Sequence, residues 1–233
     1  LIVSGVYKNY DLSSIQLITY GTELMSDATL KKVRETFPNA RLKQTYGHSE
    51  LGVLRSKSES DNSVWVQIGG KGFETKVVDH VLWVRSEANM VGYLNAPSPI
   101  DEEGWMCTGD QVEVRDGYMR FLGRKSEIIN VGGKKVFPVE VETVLLEADN
   151  ILEAAVSGRR HPLLGQVVQA HISIDQPEEY DALRERLREF CLKKLARYKV
   201  PMHFVVIDKE EQQSRRFKKN RQNDRTTKTR RFK

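Results

Sequence analysis

The sequence predicts a mixed fold, in which an α/β segment is followed by a β-rich segment and then by a smaller α+β or α/β domain. Two short apolar runs at 15–19 and 40–44 flank an amphipathic stretch at 26–37, which together indicate a strand, a helix and a second strand. From 64 to 122, short β-type runs alternate with turn residues. After 125, helical and strand patterns alternate again, which indicates a second domain.

The first helix is predicted from the spacing of Leu30, Val33 and Phe37 on one face, and Pro38 ends it. Polar residues cluster just after the two flanking strands. Because ligands of parallel α/β sheets bind at the carboxyl ends of strands, we expect a site there. The β-rich segment is predicted to contain strands at 64–68, 76–79 and 81–85, and a hairpin at 111–121 around the turn dipeptide Asp116-Gly117.

In the second domain a helix is predicted to begin at Pro138, a residue well suited to a first helical turn. Its Val141, Val144 and Leu145 are expected to face inward. A long helix is predicted at 177–197, with one apolar side formed by Leu183, Leu187, Phe190, Cys191 and Leu195. The strands predicted here are 154–157, 167–174 and 203–207.

Composition limits the functional classes. The 233 residues are 39% hydrophobic, enough for a core, and contain no apolar run long enough to span a bilayer and no signal peptide. Two distant cysteines, Cys107 and Cys191, favour a cytoplasmic protein with free thiols. The five histidines are scattered, which argues against a histidine metal site. Nothing in the sequence predicts the oligomeric state.

The net charge of +5 is concentrated near the end of the chain, where ten basic residues lie between Arg215 and Lys233. Such a run could attract nucleic acid or an anionic membrane. No aromatic residues alternate through it as stacking platforms, so we expect no specific nucleic-acid partner. We interpret 223–233 as a solvated, disordered tail.

The segment Tyr46-Gly47-His48-Ser49-Glu50 is expected to form a polar turn directly after a strand. Gly47 permits a tight turn, and Ser49 and Glu50 offer a hydroxyl and a carboxylate. Mg²⁺ prefers hard oxygen ligands and few protein groups, so this pair could hold it against phosphate oxygens. A plain turn with exposed polar residues would have the same sequence.

The segment Thr108-Gly109-Asp110 is expected to form a loop that presents a carboxylate. A carboxylate in this setting can accept hydrogen bonds from two vicinal hydroxyls, the geometry that ribose offers, and such charge-assisted bonds are strong. Arg124, at the end of the predicted hairpin, would supply a second group near the same sugar. The alternative for Arg124 is a surface salt bridge.

These segments, with Gly132-Gly133 and the stretch from Pro138 to Glu142, resemble the adenylate-forming superfamily of acyl-CoA synthetases, nonribosomal adenylation domains and luciferase-like enzymes. The resemblance covers about 11–221 and only the C-terminal part of such an enzyme. It implies that 1–124 is the end of the large N-terminal domain, a sheet unit plus a small β-barrel-like subdomain. It also implies that 125–222 is a small, mobile C-terminal α+β lid.

By this resemblance, Gly21-Thr22-Glu23 is an adenine-binding turn, in which Thr22 replaces the usual Gly. Tyr46 lies beside the adenine and the acyl carbonyl, Ser49 touches phosphate, and Glu50 binds Mg²⁺. Asp110 and Arg124 hold the ribose.

The resemblance makes Lys125 and Ser126 the hinge of the small domain, with Ser126 at the usual hinge position. Gly132 and Gly133 correspond to the loop that lines the thiol channel. Glu140 and Glu142 are expected to be structural, since an acidic residue suits the start of a helix.

The catalytic lysine of the family corresponds best to Lys218, or to Lys219 if the register shifts. Its ammonium would stabilise the charge that develops at the acyl carboxylate and the α-phosphate. Phe217 stands where the family has Gly, and Arg215-Arg216 replace the usual Thr or Ser. A basic tail residue is the alternative.

The resemblance implies an ATP-dependent ligase that forms acyl-AMP and pyrophosphate and then transfers the acyl group to CoA. One alternative is loading of an amino or aryl acid onto a phosphopantetheinyl carrier protein; another is a non-catalytic interaction module. The sequence does not indicate which acid is activated. No Ser/Thr/Gly-rich phosphate loop followed by Lys occurs in the sequence, and the first residue is Leu1. We therefore expect a truncated chain that is inactive alone.

Overall fold

The computed structural model describes residues 5–21 and 23–207. The chain divides into two compact units, at 1–126 and 127–233. The domain boundary predicted from the sequence, between 124 and 125, lies two residues before this division. The predicted tail at 223–233 lies outside the described residues.

The first unit begins with the predicted strand-helix-strand arrangement. Strands β1 (Leu17–Tyr20) and β2 (Arg41–Gln44) pair in parallel, with Leu17 opposite Arg41. Helix α1 (Asp27–Thr36) connects them, and the Ser26 hydroxyl caps it by accepting a hydrogen bond from the Thr29 amide. Leu30 of the helix packs with Leu42 and Val64. The predicted elements are confirmed here, with ends that differ by one or two residues.

The rest of the first unit is antiparallel β structure. A six-stranded sheet has the order β5-β6-β10-β9-β8-β7, and a separate two-stranded hairpin joins β3 to β4. The strands are β3 (Tyr46–His48), β4 (Gly52–Leu54), β5 (Ser56–Ser58), β6 (Val66–Ile68), β7 (Phe73–Val78), β8 (Val81–Ser86), β9 (Trp105–Arg115) and β10 (Tyr118–Arg124).

Two turns of this sheet explain where its strands end. Asp116-Gly117 closes the hairpin between β9 and β10, as predicted, and both residues have positive φ. Asp79 and His80 also have positive φ and close the hairpin between β7 and β8. The strand predicted at 76–79 begins three residues too late and ends one residue too late, because β7 starts at Phe73 and Asp79 belongs to the turn.

Within residues 127–207, the second unit contains a five-stranded sheet and two α-helices. Strand β14 pairs with β13 along one edge, and its other edge pairs with β11 at Gly165 and in parallel with β15. The elements are β11 (Ile129–Val131), β12 (Lys134–Val136), α2 (Pro138–Leu146), β13 (Ile151–His161), β14 (Gly165–Ile174), α3 (Tyr180–Lys194) and β15 (His203–Val206).

The core of the second unit lies between the sheet and the two helices. Val141, Leu145, Leu183, Leu187 and Cys191 pack with buried strand residues, as their spacing predicts. The long helix is shorter than expected at both ends. The Glu179 carboxylate accepts a hydrogen bond from the Ala182 amide and so caps the helix at its start. After Lys194 the backbone at Leu195 is extended.

The two cysteines differ in accessibility, and we expect them to differ in reactivity. Cys191 is fully buried, and its burial raises the thiol pKa to about 12, so little thiolate forms at neutral pH. Cys107 is partly exposed. Titration of the native chain with an aromatic disulfide reagent should show one fast thiol, with the second appearing only after denaturation. The variant Cys107→Ser should lose the fast phase, and a fast phase that survived would contradict this assignment.

Among the helices in the described ranges, none combines the length and apolar character that are needed to cross a bilayer.

Candidate functional site

The polar segment at 46–50 forms the first side of the candidate site. Tyr46, Gly47 and His48 are strand residues, which corrects the predicted turn. The chain turns one step later, at Ser49 and Glu50, before β4 begins at Gly52. A Cβ atom on Gly47 would lie 2.6 Å from the Gly52 carbonyl oxygen, so glycine is needed for the close approach of the two strands. This hairpin turns Tyr46 and His48 toward Asp110.

The first strand-helix-strand arrangement brings a second predicted segment beside the hairpin. The amide and the hydroxyl of Thr45 both donate to the Tyr20 carbonyl oxygen, at 2.7 and 3.1 Å. A Cβ on Gly21 would lie 2.0 Å from the Thr45 carbonyl oxygen, which explains the glycine. Glu23 is exposed, and Thr22 lies outside the described residues. Gly21 therefore lies beside Thr45, the residue just before Tyr46, at the carboxyl ends of β1 and β2.

The segment Thr108-Gly109-Asp110 lies within β9, which corrects the predicted loop. The pairing of β9 with β8 is irregular between the Trp83 and Val81 rows, and Gly109 has a φ of +73°. This bulge interrupts the regular alternation of side chains. Thr108 fixes the segment, because its hydroxyl donates to the Leu82 carbonyl oxygen at 2.7 Å and accepts from the Asp110 amide at 3.1 Å.

The Asp110 carboxylate is the centre of the site. Its Oδ2 atom lies 2.8 Å from the Tyr46 hydroxyl and 2.9 Å from His48 Nε2. The guanidinium Nε of Arg124 lies 3.4 Å from the other oxygen, Oδ1. The structure thus brings Asp110 and Arg124 together, and adds Tyr46 and His48 to them.

Because the Asp110 carboxylate accepts hydrogen bonds, it determines which atoms of its neighbours carry a proton. His48 Nε2 faces a carboxylate oxygen at 2.9 Å, so the favourable tautomer carries its proton on Nε2 and donates it. The pKa of Tyr46 is raised, mainly by burial and then by the negative charge of Asp110. Tyr46 therefore stays protonated and donates to the same oxygen. Its ring stacks on Phe121, with the centroids 4.6 Å apart.

Glu50 lies at the outer side of this cluster. Its Oε1 accepts a hydrogen bond from the Tyr93 hydroxyl at 2.6 Å, and this bond is the main reason that its pKa is lowered. Its Oε2 lies 3.9 Å from His48 Nδ1. The neighbouring Ser49 is exposed. Among the described residues, no group of three or more His, Cys, Asp or Glu side chains could enclose a metal ion. An ion that keeps several waters, as Mg²⁺ does, fits a single carboxylate and hydroxyl.

The predicted hinge forms a short 3-10 turn, Lys125–Glu127, and the division between the two units follows Ser126. Both Lys125 and Ser126 are accessible to solvent. The hinge remains a prediction at this location.

Gly132 and Gly133 form the turn between β11 and β12, and both have positive φ. The Gly132 amide donates to the Leu164 carbonyl oxygen at 2.9 Å, which fastens this turn to the hairpin of β13 and β14. A cavity of about 570 Å³ lies beside it, lined by Asn130, Gly133, Arg160, His161, Pro162, Leu164, Gly165 and Gln166.

The two helix carboxylates have structural contacts, as expected. Glu142 is 1% exposed, and its Oε1 accepts a hydrogen bond from the Val156 amide at 2.9 Å. Glu140 pairs with Lys199 at 2.6 Å. The predicted catalytic Lys218 and its alternative Lys219 lie outside the described residues.

Sequence reasoning missed His48, Tyr93 and Phe121 as parts of the site. His48 lies inside the segment Tyr46-Gly47-His48-Ser49-Glu50, but the sequence assigns it no role of its own. Its position two residues after Tyr46 on a strand was the available signal, because residues i and i+2 point to the same face. Nothing local could have indicated that Tyr93 would contact Glu50, 43 residues away.

Comparison with known proteins gives a consistent result. A family model described as the AMP-binding enzyme C-terminal domain matches residues 140–218. The 2-succinylbenzoate–CoA ligase of Bacillus licheniformis is 36% identical over 149 residues, which are 62% of this chain and 30% of that protein. The 4-coumarate:CoA ligase 1 of Petunia hybrida is 30% identical over 220 residues, or 84% of this chain and 40% of that protein.

A solved structure has the same fold. The o-succinylbenzoate CoA synthetase of Bacillus subtilis, in complex with its acyl-adenylate intermediate, matches with a TM-score of 0.74 at 23% identity. The match covers 97% of this chain and 49% of that structure.

The fold, the motifs and these relatives agree, and the chain belongs to the adenylate-forming superfamily, in which it corresponds to a C-terminal part. The relatives named above are CoA ligases. The chain spans 30% and 40% of the length of the two curated relatives.

Proposed function

We propose that the chain supplies the ribose site and the small C-terminal domain of an ATP-dependent acid–thiol ligase. One observation carries the proposal: a carboxylate, Asp110, is held by two protein donors and lies beside Arg124 in a member of the adenylate-forming superfamily. Gly21 lies beside Thr45, the residue before Tyr46, and adenine would bind there.

In the first step of this reaction, a carboxylate oxygen of the acid attacks the α-phosphorus of ATP. Acyl-AMP forms and pyrophosphate leaves. Asp110 orients the nucleotide by accepting hydrogen bonds from its ribose, and Arg124 contributes a donor nearby. Ser49 would contact a phosphate oxygen, and Glu50 would hold Mg²⁺, which would supply positive charge that offsets the phosphate oxygens.

The Lys218 ammonium would stabilise the negative charge that builds up between the acid and the α-phosphate. In the second step the small domain turns about Lys125 and Ser126, and the glycine turn at 132–133 lines the path of the thiol. The thiol sulfur attacks the acyl carbon, and AMP leaves. We favour CoA over a carrier protein as the thiol, because the named relatives are CoA ligases.

The proposal is tested by two measurements on the 233-residue chain. Calorimetry should detect binding of AMP, whereas ATP–pyrophosphate exchange should be absent, because the sequence contains no recognisable phosphate loop. Absence of AMP binding would contradict the ribose site. Exchange above the level of an Asp110→Ala control would contradict the expected lack of activity.

A further inference from the structure

The Glu50 carboxylate is held by a side chain from a distant segment of the first unit. The Tyr93 hydroxyl donates to Glu50 Oε1 at 2.6 Å, and 23% of the Glu50 side chain is exposed. A glutamate side chain is flexible, and fixing it in one orientation costs conformational entropy. The hydrogen bond from Tyr93 restricts this side chain in the folded protein, before any ligand binds.

The backbone brings Tyr93 to this position. The segment that carries it connects β8 to β9, and the Met90 amide donates to the Glu50 carbonyl oxygen at 2.8 Å. Asn89 secures the same segment, because its side-chain amide donates to the Gly104 carbonyl oxygen at 3.1 Å. The turn at Glu50 and the segment of Tyr93 are therefore joined both through the backbone and through side chains.

The donor from this segment is a neutral group, which matters for a carboxylate that could bind a cation. A carboxylate has about four lone-pair sites, so one hydroxyl leaves room for further partners. A lysine or arginine in this place would form an ion pair that a metal ion must break, whereas the tyrosine hydroxyl leaves the negative charge in place. His48 Nδ1 lies 3.9 Å from Glu50 Oε2, too far for a hydrogen bond, and Arg124 lies beside Asp110.

We infer that Tyr93 is a positioning residue, whose hydroxyl orients the Glu50 carboxylate for Mg²⁺ on the phosphates of ATP. This inference rests on the proposed function and deepens it, since it adds a residue from outside the segment at 46–50. Carboxylates that bind metals are commonly fixed by hydrogen bonds, and loss of such a partner costs about 10–100-fold in metal affinity. Glu50 is only partly buried, so we expect an effect near the lower end of this range.

The expected effect of removing the hydroxyl is confined to binding that involves the metal. Binding of ATP to the 233-residue chain should be measured by calorimetry in excess Mg²⁺ and in EDTA, together with binding of AMP. In the wild-type chain, ATP should bind more tightly in excess Mg²⁺ than in EDTA. Tyr93→Phe should lose most of this gain, with a fall of about 10-fold in ATP affinity in excess Mg²⁺. Its affinities for AMP and for ATP in EDTA should stay within about 2-fold of the wild type.

Tyr180→Phe is the matched control. Tyr180 is 46% exposed, against 45% for Tyr93, and its hydroxyl donates to the Phe204 carbonyl oxygen at 2.8 Å in the second unit. This variant also loses a tyrosine hydroxyl and its hydrogen bond, but it should keep the Mg²⁺ gain within about 2-fold.

A double-mutant cycle tests whether Tyr93 acts through Glu50. Glu50→Gln removes the negative charge and should abolish the Mg²⁺ gain. Adding Tyr93→Phe to Glu50→Gln should then lower ATP affinity in excess Mg²⁺ by less than about 2-fold, because the two residues act as one unit. A full further loss of about 10-fold would contradict the inference.

The outcomes separate the inference from the proposed function. If the Mg²⁺ gain is the same in Tyr93→Phe as in the wild-type chain, the inference is wrong and the proposed function stands. The inference is also wrong if Tyr93→Phe weakens AMP binding and ATP binding in EDTA to the same degree, because its role is then structural. If AMP binds but Mg²⁺ leaves ATP binding unchanged in the wild-type chain, the inference and the role of Glu50 are overturned and the ribose site stands. If neither nucleotide binds to the wild-type chain, the proposed function is overturned together with the inference.

Discussion

Replacing Asp110 with alanine is expected to weaken AMP binding by about 100-fold or more, since hydrogen bonds to a charged group contribute about 1.5–3 kcal/mol each. The change removes the ribose acceptor. It also leaves the largely buried donors of Tyr46 and His48 without the oxygen that both now contact. Calorimetric titration of the folded variant with AMP measures the loss.

Glu113→Ala provides the matched control for this variant. Glu113 is an exposed carboxylate on the same strand, β9, three positions further along. The Glu113→Ala variant should bind AMP as tightly as the wild-type chain, within about 2-fold, because surface substitutions away from a site have small effects. Equal affinities of Asp110→Ala and Glu113→Ala would remove Asp110 from the ribose site.

The second large effect concerns stability. Leu187→Ala should lower the free energy of unfolding of the second unit by about 2–5 kcal/mol, because Leu187 is fully buried and truncation leaves a cavity. Leu192→Ala changes the same residue type on the same helix, α3, where 46% of the leucine is exposed. That variant should lose less than about 1 kcal/mol.

Two spectroscopic signals report on different units. All three tryptophans, Trp65, Trp83 and Trp105, lie in the first unit, so their fluorescence follows that unit alone. Helices α2 and α3 contain 9 and 15 residues against 10 in α1, so helical circular dichroism follows mainly the second unit. Urea unfolding of Leu187→Ala should show an earlier circular dichroism transition than the wild-type chain. An unchanged midpoint would contradict the placement of Leu187 in the core.

Local patterns were sufficient for the elements of the fold that depend on local chemistry. Helix α1 was predicted from its apolar spacing and from Pro38, and the hairpin at Asp116-Gly117 from its turn dipeptide. These signals come from residues within a few positions of each other. Helix α3 was predicted too long at both ends, because its limits depend on a Glu179 cap and on an extended residue at Leu195.

The candidate site was predicted less completely, because its geometry depends on distant partners. Thr108-Gly109-Asp110 has the composition of a loop but lies in a strand, because Asp110 pairs with Arg124 of β10 and the flanking Cys107 and Gln111 pair with β8. His48 and Asp110 are 62 residues apart, and no local pattern connects them. The residue types of the site could be predicted from the sequence, whereas the contacts of Asp110 with Tyr46, His48 and Arg124 required the fold.

The bond between the Gly132 amide and the Leu164 carbonyl oxygen has a consequence for how variation in this chain is interpreted. The glycine turn and the tip of the β13–β14 hairpin are far apart in sequence, but this hydrogen bond and the pairing of Val131 with Gly165 join their backbones. An insertion or deletion at the hairpin tip would therefore shift the turn, even though every residue of the turn itself was unchanged. Because we propose that this turn lines the path of the thiol, we expect changes at the hairpin tip, which carries no motif, to alter thiol preference.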